Sequence, residues 1–300
     1  MIERRSHLDS RAITLLLGCC LLWGLQQIVV KATLPLMPPM AQAGLRSGLA
    51  ALLVWAWASW RGIALFSRDG TWWPGLLAGA LFAAEFVCIY IGLGHTAASR
   101  LVVLLYLSPF VVAAGMPFIS AAERLSMRQM AGLGLGFAAV VLAFSEGLSG
   151  AAAPAGSTQW LGDALAVLAA LLWGATTLAI RATRLATASP EKTLFYQLAV
   201  SGGVLTALSL LTGESWALPW AGAALWGSMF FQAVVVAFAS YLVWFWLIRH
   251  YPATRLASFT FLTPLFGLVM GWLLLDEAIT LRLALALCGV AVGIWLVNRR

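Results

Sequence analysis

Apolar runs long enough to cross a membrane follow one another along almost the whole chain of 300 residues, and they constrain its fold more than any other feature. A helix needs about 20 mainly apolar residues to cross the hydrocarbon core. With 62% hydrophobic and only 10% charged residues, the chain lacks the polar side chains that would cover a soluble core of this size. We therefore predict an all-α integral membrane protein whose apolar surface faces lipid.

Ten such runs, separated by short connections, predict ten transmembrane helices. They cover residues 12–31, 40–60, 73–94, 97–118, 128–146, 161–180, 192–212, 220–248, 253–274 and 281–297. Only residues 147–160 resemble a linker, so the spans divide into a five-helix unit at 12–146 and another at 161–297, with short tails at 1–11 and 298–300. The first run has no small-residue cleavage site and is interpreted as a retained span.

The distribution of basic residues predicts the orientation of the chain. Ten spans place both termini on one side, and 14 of the 18 Lys and Arg residues lie in the tails and loops of that side, against three on the other. Cytoplasmic loops of membrane proteins carry an excess of Lys and Arg. Both termini are therefore expected in the cytoplasm, with the protein in the inner (plasma) membrane.

The two units repeat one another. The sequence Leu-Leu-Trp-Gly at 21–24 returns at 171–174, and the segment from His95 to Pro109 returns, with conservative changes, from His250 to Pro264. Because five is odd, the second unit starts on the opposite side of the membrane, so the repeats are inverted. Inverted repeats of secondary transporters enclose a site near the midplane and expose it alternately to each side. A duplicated helical scaffold is the alternative.

Three features occur once in each unit and together resemble a known family. They are the Trp-Gly pair of spans one and six, the proline of spans four and nine, and the Glu-x-x-Ser/Thr turns at Glu123 and Glu277. Over residues 12–297 they resemble the two EamA repeats of the drug/metabolite transporter superfamily. The resemblance implies a ten-helix exporter of small metabolites with a central cavity between the halves. Within the family, the chain is most similar to bacterial exporters of aromatic amino acids.

Glu85 is the only acidic residue deep inside a predicted span. A carboxylate there is costly to bury and is a functional candidate, either for holding a substrate ammonium group or for taking up a proton. A structural carboxyl paired with another span is the alternative. The equivalent position in the second unit is Ser240, so the symmetry is broken here. Arg46 lies inside the second span, and the sequence leaves its role open.

Aromatic, amide and hydroxyl side chains of the spans are the other candidates for the substrate cavity. They are Trp23, Gln27, Tyr90, Tyr106, Trp173, Thr177, Tyr241 and Trp244. Aromatic walls with a few polar groups suit an aromatic or large apolar amino acid, although packing or lipid contact is the alternative for each residue. Pro109 and Pro264 are predicted to kink their spans, as hinges or as static bends.

Paired basic residues lie at span ends, Lys31 with Arg181 and Arg100 with Arg255, and they are expected to extend their charged groups to the interface. Binding of a substrate carboxylate is the alternative for Lys31 and Arg181. The sequence does not decide whether the Gly-xxx-Gly pairs at 132–136 and 289–293 join helices within one chain or between two. The oligomeric state therefore stays open.

Other function classes find little support in the sequence. No zinc-binding pair, catalytic dyad or phosphate-binding loop occurs, so we expect no enzyme, metal or cofactor. The basic residues form no patch for nucleic acid. The expected partners are membrane lipids and a small amino acid-like substrate. A cationic drug is an alternative substrate, because a carboxylate among aromatic rings suits a cation. Another metabolite is a further alternative.

Overall fold

The computed structural model describes residues 9–119, 126–149, 158–217, 222–251, 260 and 262–298. The turn at Glu123, most of the linker 147–160 and Arg255 lie outside the described residues. The helices are α1 (Ser10–Thr33), α2 (Pro39–Trp60), α3 (Trp72–Leu93), α4 (Ala98–Leu105), α5 (Ser108–Ile119), α6 (Met127–Ser149), α7 (Gln159–Ala182), α8 (Pro190–Leu211), α9 (Ala223–Met229), α10 (Tyr241–His250), α11 (Leu262–Leu275) and α12 (Leu281–Asn298). A π-helix, Phe230–Ser240, joins α9 to α10, and a 3-10 helix, Arg184–Thr187, precedes α8.

The described part of the chain contains helices and no strands, as an all-α membrane protein requires. Six segments are long and apolar enough to cross a membrane: Ser10–Thr33, Trp72–Leu93, Ala98–Ile119, Gln159–Ala182, Pro190–Leu211 and Ala223–Trp244. Three shorter apolar helices begin at Met127, Leu262 and Leu281. The helix α2 has 22 residues but is not among the six, and it carries Gln42, Arg46 and Ser47. The chain is thus a multi-pass helical protein, and among its described residues six segments meet this criterion, so it does not confirm the predicted count of ten.

Equivalent helices of the two halves end in the same way. After α2 and after α8, a glycine adopts a left-handed conformation, Gly62 with φ of 67° and Gly213 with φ of 70°. The next residue then donates its N–H back to the last helical turn, from Ile63 to Ala58 O at 2.8 Å and from Glu214 to Ser209 O at 3.0 Å. This is the Schellman arrangement, which satisfies carbonyl groups that would otherwise lack a partner.

The packing of the halves is symmetric under their exchange. The helix α1 packs against α11 and the π-helix of the second half, and α7 packs against α4, α5 and α3 of the first. Likewise α2 contacts the π-helix while α8 contacts α3, and the pairs α2–α8 and α6–α12 join equivalent helices. The main apolar core lies between the halves, so a central site would be built from both.

The repeated Trp-Gly pairs have a packing role in this core. A Cβ atom added to Gly24 of α1 would lie 2.9 Å from Thr263 O, and one added to Gly174 of α7 would lie 3.3 Å from Ser108 O. Thr263 and Ser108 are equivalent positions of the two repeats. Each glycine therefore lets its helix approach the proline-containing helix of the other half closely.

The Gly-xxx-Gly pairs join helices within the chain. A Cβ atom added to Gly293 of α12 would lie 2.9 Å from Gly132 O of α6, and one added to Gly289 would lie 2.9 Å from Ala139 Cβ. Small residues thus bring α6 and α12 together, as such residues do in membrane helix pairs.

Candidate functional site

An aromatic cluster forms where α1 meets the π-helix and α10. The Trp23 indole N–H donates to Ser240 Oγ at 2.9 Å. The Trp23 ring also lies edge-on to Tyr241, with centroids 6.4 Å apart, and to Trp244, at 5.4 Å. The structure therefore brings together three predicted cavity residues from both halves, because α1 packs against the second half.

Arg46 of α2 lies next to this cluster and is fully buried, with 0% of its surface exposed. Its Nη2 donates to Tyr241 Oη at 3.3 Å, and its guanidinium lies over the Phe86 ring, 4.5 Å from the centroid. Among the described residues, Nε and Nη1 of Arg46 have no hydrogen-bond partner. A cation with unused donors in an apolar core is costly unless something else binds them.

Glu85 of α3 lies close to this cluster in the chain. The Arg46 guanidinium covers the ring of Phe86, the residue that follows Glu85. Glu85 is 5% exposed, and its Oε2 has no hydrogen-bond partner in the described part of the chain. Both side chains are described, yet no nitrogen of Arg46 lies within 4.0 Å of a Glu85 oxygen. Arg46 and Glu85 therefore do not satisfy each other's hydrogen bonds.

Tyr90, on α3, begins a hydrogen-bond chain to the other half. Its hydroxyl donates to Gln232 Oε1 of the π-helix at 2.7 Å, and Gln232 Nε2 donates to Ser228 Oγ at 2.8 Å. Ser228 Oγ and Thr33 Oγ1 are 2.6 Å apart, which brings the chain back to α1. The hydroxyl hydrogen of Tyr90 is thus already used within the protein.

Tyr106 and Trp173 form a second aromatic pair, edge-on with centroids 6.0 Å apart. Thr177 behaves differently, because its hydroxyl donates to Trp173 O of its own helix at 3.1 Å. Gln27 is buried, and its Oε1 lacks a hydrogen-bond partner within the described residues.

The two prolines lie at the beginnings of helices. The span that was predicted to bend at Pro109 is interrupted earlier, at Tyr106 and Leu107, and Pro109 lies in the first turn of α5. Proline is well tolerated there, since the first N–H groups of a helix have no partner within it. Pro264 likewise lies in the first turn of α11.

The expectation that Arg100 reaches the membrane surface is wrong. Arg100 is 3% exposed, and its Nε lies 2.8 Å from Asp163 Oδ1 of α7 while its Nη2 lies 2.8 Å from Oδ2. Thr96 also donates to Asp163 Oδ1, at 2.9 Å. The carboxylate draws the guanidinium into the interface between the halves.

Two surface cavities, of about 260 and 300 Å³, border the loop between α2 and α3. Phe66 and Ser67 line both cavities, and none of the predicted cavity residues lines either. Arg46 and Glu85 therefore lie away from these cavities, in the interior between the halves. Within the described residues, no group of three or more His, Cys, Asp or Glu side chains could hold a metal ion.

Comparisons with known proteins place this architecture among transporters. A model of the EamA-like transporter family matches residues 10–145 and 160–299. The "Uncharacterized transporter YvbV" of Bacillus subtilis (strain 168) is 28% identical over 296 residues, which cover 97% of this chain and 92% of the relative. A "Probable amino-acid metabolite efflux pump" of Escherichia coli (strain K12) is 28% identical over 273 residues, or 86% of this chain and 85% of the relative. A solved crystal structure has the same fold, with a TM-score of 0.66 over 96% of both chains at 18% identity.

Proposed function

The chain belongs to the EamA-like transporter family, and from this premise we propose that it exports aromatic or large apolar amino acids as a secondary transporter. The observation that carries the proposal is the group formed by buried Arg46, buried Glu85 and partly buried Tyr241 beside the Trp23 ring, at the interface of the halves. Such a cluster offers charges to the backbone of an amino acid and rings to its side chain. An amino-acid metabolite efflux pump among the relatives supports this substrate class.

The proposed mechanism is alternating access between two inverted five-helix repeats that together form ten spans. It is supported by contacts between the halves that recur when the halves are exchanged, which a pseudo-twofold axis would produce. The bias of basic residues supports an inner-membrane protein with both termini in the cytoplasm. In that orientation, Lys31 and Arg100 lie toward the outer side, and Asp69 and Lys192 lie toward the cytoplasm.

The test is transport of labelled phenylalanine by the purified protein in liposomes, with and without an imposed proton gradient. The expected result is saturable flux that tryptophan inhibits and that unlabelled phenylalanine on the opposite side accelerates. Such acceleration distinguishes a carrier from a channel, which shows none. Absence of phenylalanine flux under every condition would overturn the proposal and direct attention to other solutes.

Glu85→Gln tests the carboxylate in the same liposomes. We expect this variant to fold but to transport phenylalanine more slowly, or with a weaker dependence on pH, because it can neither hold an ammonium group as an anion nor take up a proton. Asp276→Asn removes an exposed carboxylate elsewhere and serves as the control. Unchanged transport by Glu85→Gln at every pH would remove Glu85 from the mechanism.

A further inference from the structure

We propose that Arg46 and Glu85 form a two-point site for a zwitterion, with Arg46 binding the α-carboxylate and Glu85 binding the α-ammonium group of the substrate. This inference rests on the proposed transport function and narrows it. It restricts the substrates to α-amino acids and excludes the amines and acids that carry only one of the two charges. It also assigns a role to Arg46, which the sequence left open.

Arg46 has buried N–H donors that are not hydrogen-bonded to any described residue. A guanidinium carries five N–H groups and no acceptor, and they suit the two oxygens of a carboxylate. In this structure Tyr241 accepts a hydrogen bond from Nη2, and the Phe86 ring covers one face of the guanidinium. Nε and Nη1 remain buried without an acceptor among the described residues. A carboxylate in contact with them would satisfy donors that the protein leaves unused.

Glu85 has a buried acceptor without a donor among the described residues, which complements the unused donors of Arg46. Its Oε2 is buried and accepts no hydrogen bond from a described residue. An ammonium group donates up to three hydrogen bonds and would satisfy this oxygen. The carboxylate and the guanidinium are not in direct contact with each other, so neither removes the other's need for a ligand.

The combination of the two charges decides the class of ligand. A simple cation at Glu85 would leave the buried donors of Arg46 without an acceptor, and a simple anion at Arg46 would leave the buried oxygen of Glu85 without a donor. A ligand with both charges is attracted at both ends. Tyr241 accepts a hydrogen bond from Arg46 and lies edge-on to Trp23, and these two rings can receive an aromatic side chain. The pair therefore favours amino acids over the cationic drugs that Glu85 alone would suit.

The first experiment needs no variant. Phenylalanine, 2-phenylethylamine and 3-phenylpropionate share one ring and differ in carrying both charges, the ammonium alone or the carboxylate alone. As competitors of labelled phenylalanine flux in liposomes, the two analogues should be at least about tenfold weaker than phenylalanine, because each leaves one buried charge unpaired. An analogue that competes as well as phenylalanine would overturn the two-point site.

Variants of Arg46 and Glu85 then test which residue binds the carboxylate and which binds the ammonium group. Arg46→Gln should reduce the preference for phenylalanine over 2-phenylethylamine to near one, and Glu85→Gln should do the same for the preference over 3-phenylpropionate. Arg128→Gln removes an exposed positive charge and should leave both preferences unchanged. Unchanged preferences in both site variants would overturn the assignment.

Arg46 is fully buried, so Arg46→Lys provides a variant that keeps the charge if Arg46→Gln does not fold. It should retain part of the preference over 2-phenylethylamine, since a lysine offers a charge without the planar set of donors. Complete retention would contradict binding by the guanidinium. Phenylalanine flux without discrimination among the three compounds would refute this inference alone, whereas no phenylalanine flux would refute the proposed function itself.

Discussion

The Nζ atom of Lys31 lies 3.2 Å from Glu277 Oε1, which ties α1 of the first half to the segment before α12 of the second. The same carboxylate accepts the backbone N–H groups of Ala98 at 2.7 Å and Ser99 at 2.9 Å. Glu277 therefore caps the N-terminus of α4, where a negative charge is favourable. One side chain thus connects α1, α4 and the segment before α12. These contacts must break if the two halves separate at this end.

Glu277→Gln should weaken this connection. We expect a loss of about 1–3 kcal/mol of stability, because charge-assisted hydrogen bonds to two buried N–H groups and to Lys31 become neutral or are lost. The measurement is thermal unfolding of the purified protein in detergent, followed by tryptophan fluorescence. Asp276→Asn changes the neighbouring charge and keeps a residue that tolerates φ of 53°, so its melting should match the wild type. Equal melting of Glu277→Gln and wild type would contradict the capping role.

The Arg100–Asp163 pair predicts a larger effect, since its side chains are only 4% and 0% exposed. Asp163→Leu leaves the guanidinium buried without its carboxylate and should cost about 3–5 kcal/mol. Adding Arg100→Met removes the unpaired buried charge and should restore most of the lost stability. Unfolding in detergent measures both variants. A double variant no more stable than Asp163→Leu would show that the pair matters through packing and not through charge.

Asp69 predicts a dependence of stability on pH. Asp69 Oδ2 lies 2.7 Å from Lys192 Nζ, and Thr71 also donates to this carboxylate. The lysine, followed by the threonine, holds the pKa of Asp69 well below its usual value of 3.8. A lowered pKa stabilises the folded state above the usual pKa, and this contribution is lost as the pH falls toward the lowered pKa.

Asp69→Asn should therefore melt below the wild type at pH 7, and the difference should shrink as the pH is lowered below about 4. Melting temperatures of both proteins in detergent between pH 7 and pH 3 measure this. Asp276→Asn, which changes an exposed carboxylate, should show no comparable trend. A difference that stays constant over this range would mean that the ionised form of Asp69 does not stabilise the fold.

The sequence predicted the helical class and the two repeats, because both depend on apolar length and on recurring residues. The repeated Trp-Gly pairs contain Gly24 and Gly174, and both glycines allow close packing against the other half. The predicted count of ten spans is not confirmed, and α2, predicted as the span 40–60, is not among the six segments because its buried polar residues lower its hydropathy. Periodicity does not reveal what such residues contact.

The contacts of Arg46 and Arg100 could not be predicted from the sequence. The partners of Arg46 lie on α3 and α10, far away in sequence, so its hydrogen bond to Tyr241 depends on tertiary packing. Symmetry suggested that Arg100 behaves like Arg255, but the position equivalent to Asp163 in the first half is Ile13. The acidic partner of Arg100 therefore has no counterpart at the matching position, and comparison of the two repeats does not reveal it.

Two glycines of α1 provide a matched test of the packing between the halves. A Cβ atom at Gly24 would lie 2.8 Å from Gly267 N and 2.9 Å from Thr263 O, which are backbone atoms of α11, whereas one at Gly18 would meet nothing within 4 Å. Gly24→Ala should force α1 and α11 apart and cost about 1–3 kcal/mol of stability. Gly18→Ala should be neutral or stabilising by up to about 1 kcal/mol, since alanine favours the helix. Equal melting of the two variants in detergent would mean that α1 and α11 do not pack this closely, and that the repeated Trp-Gly pair serves another purpose.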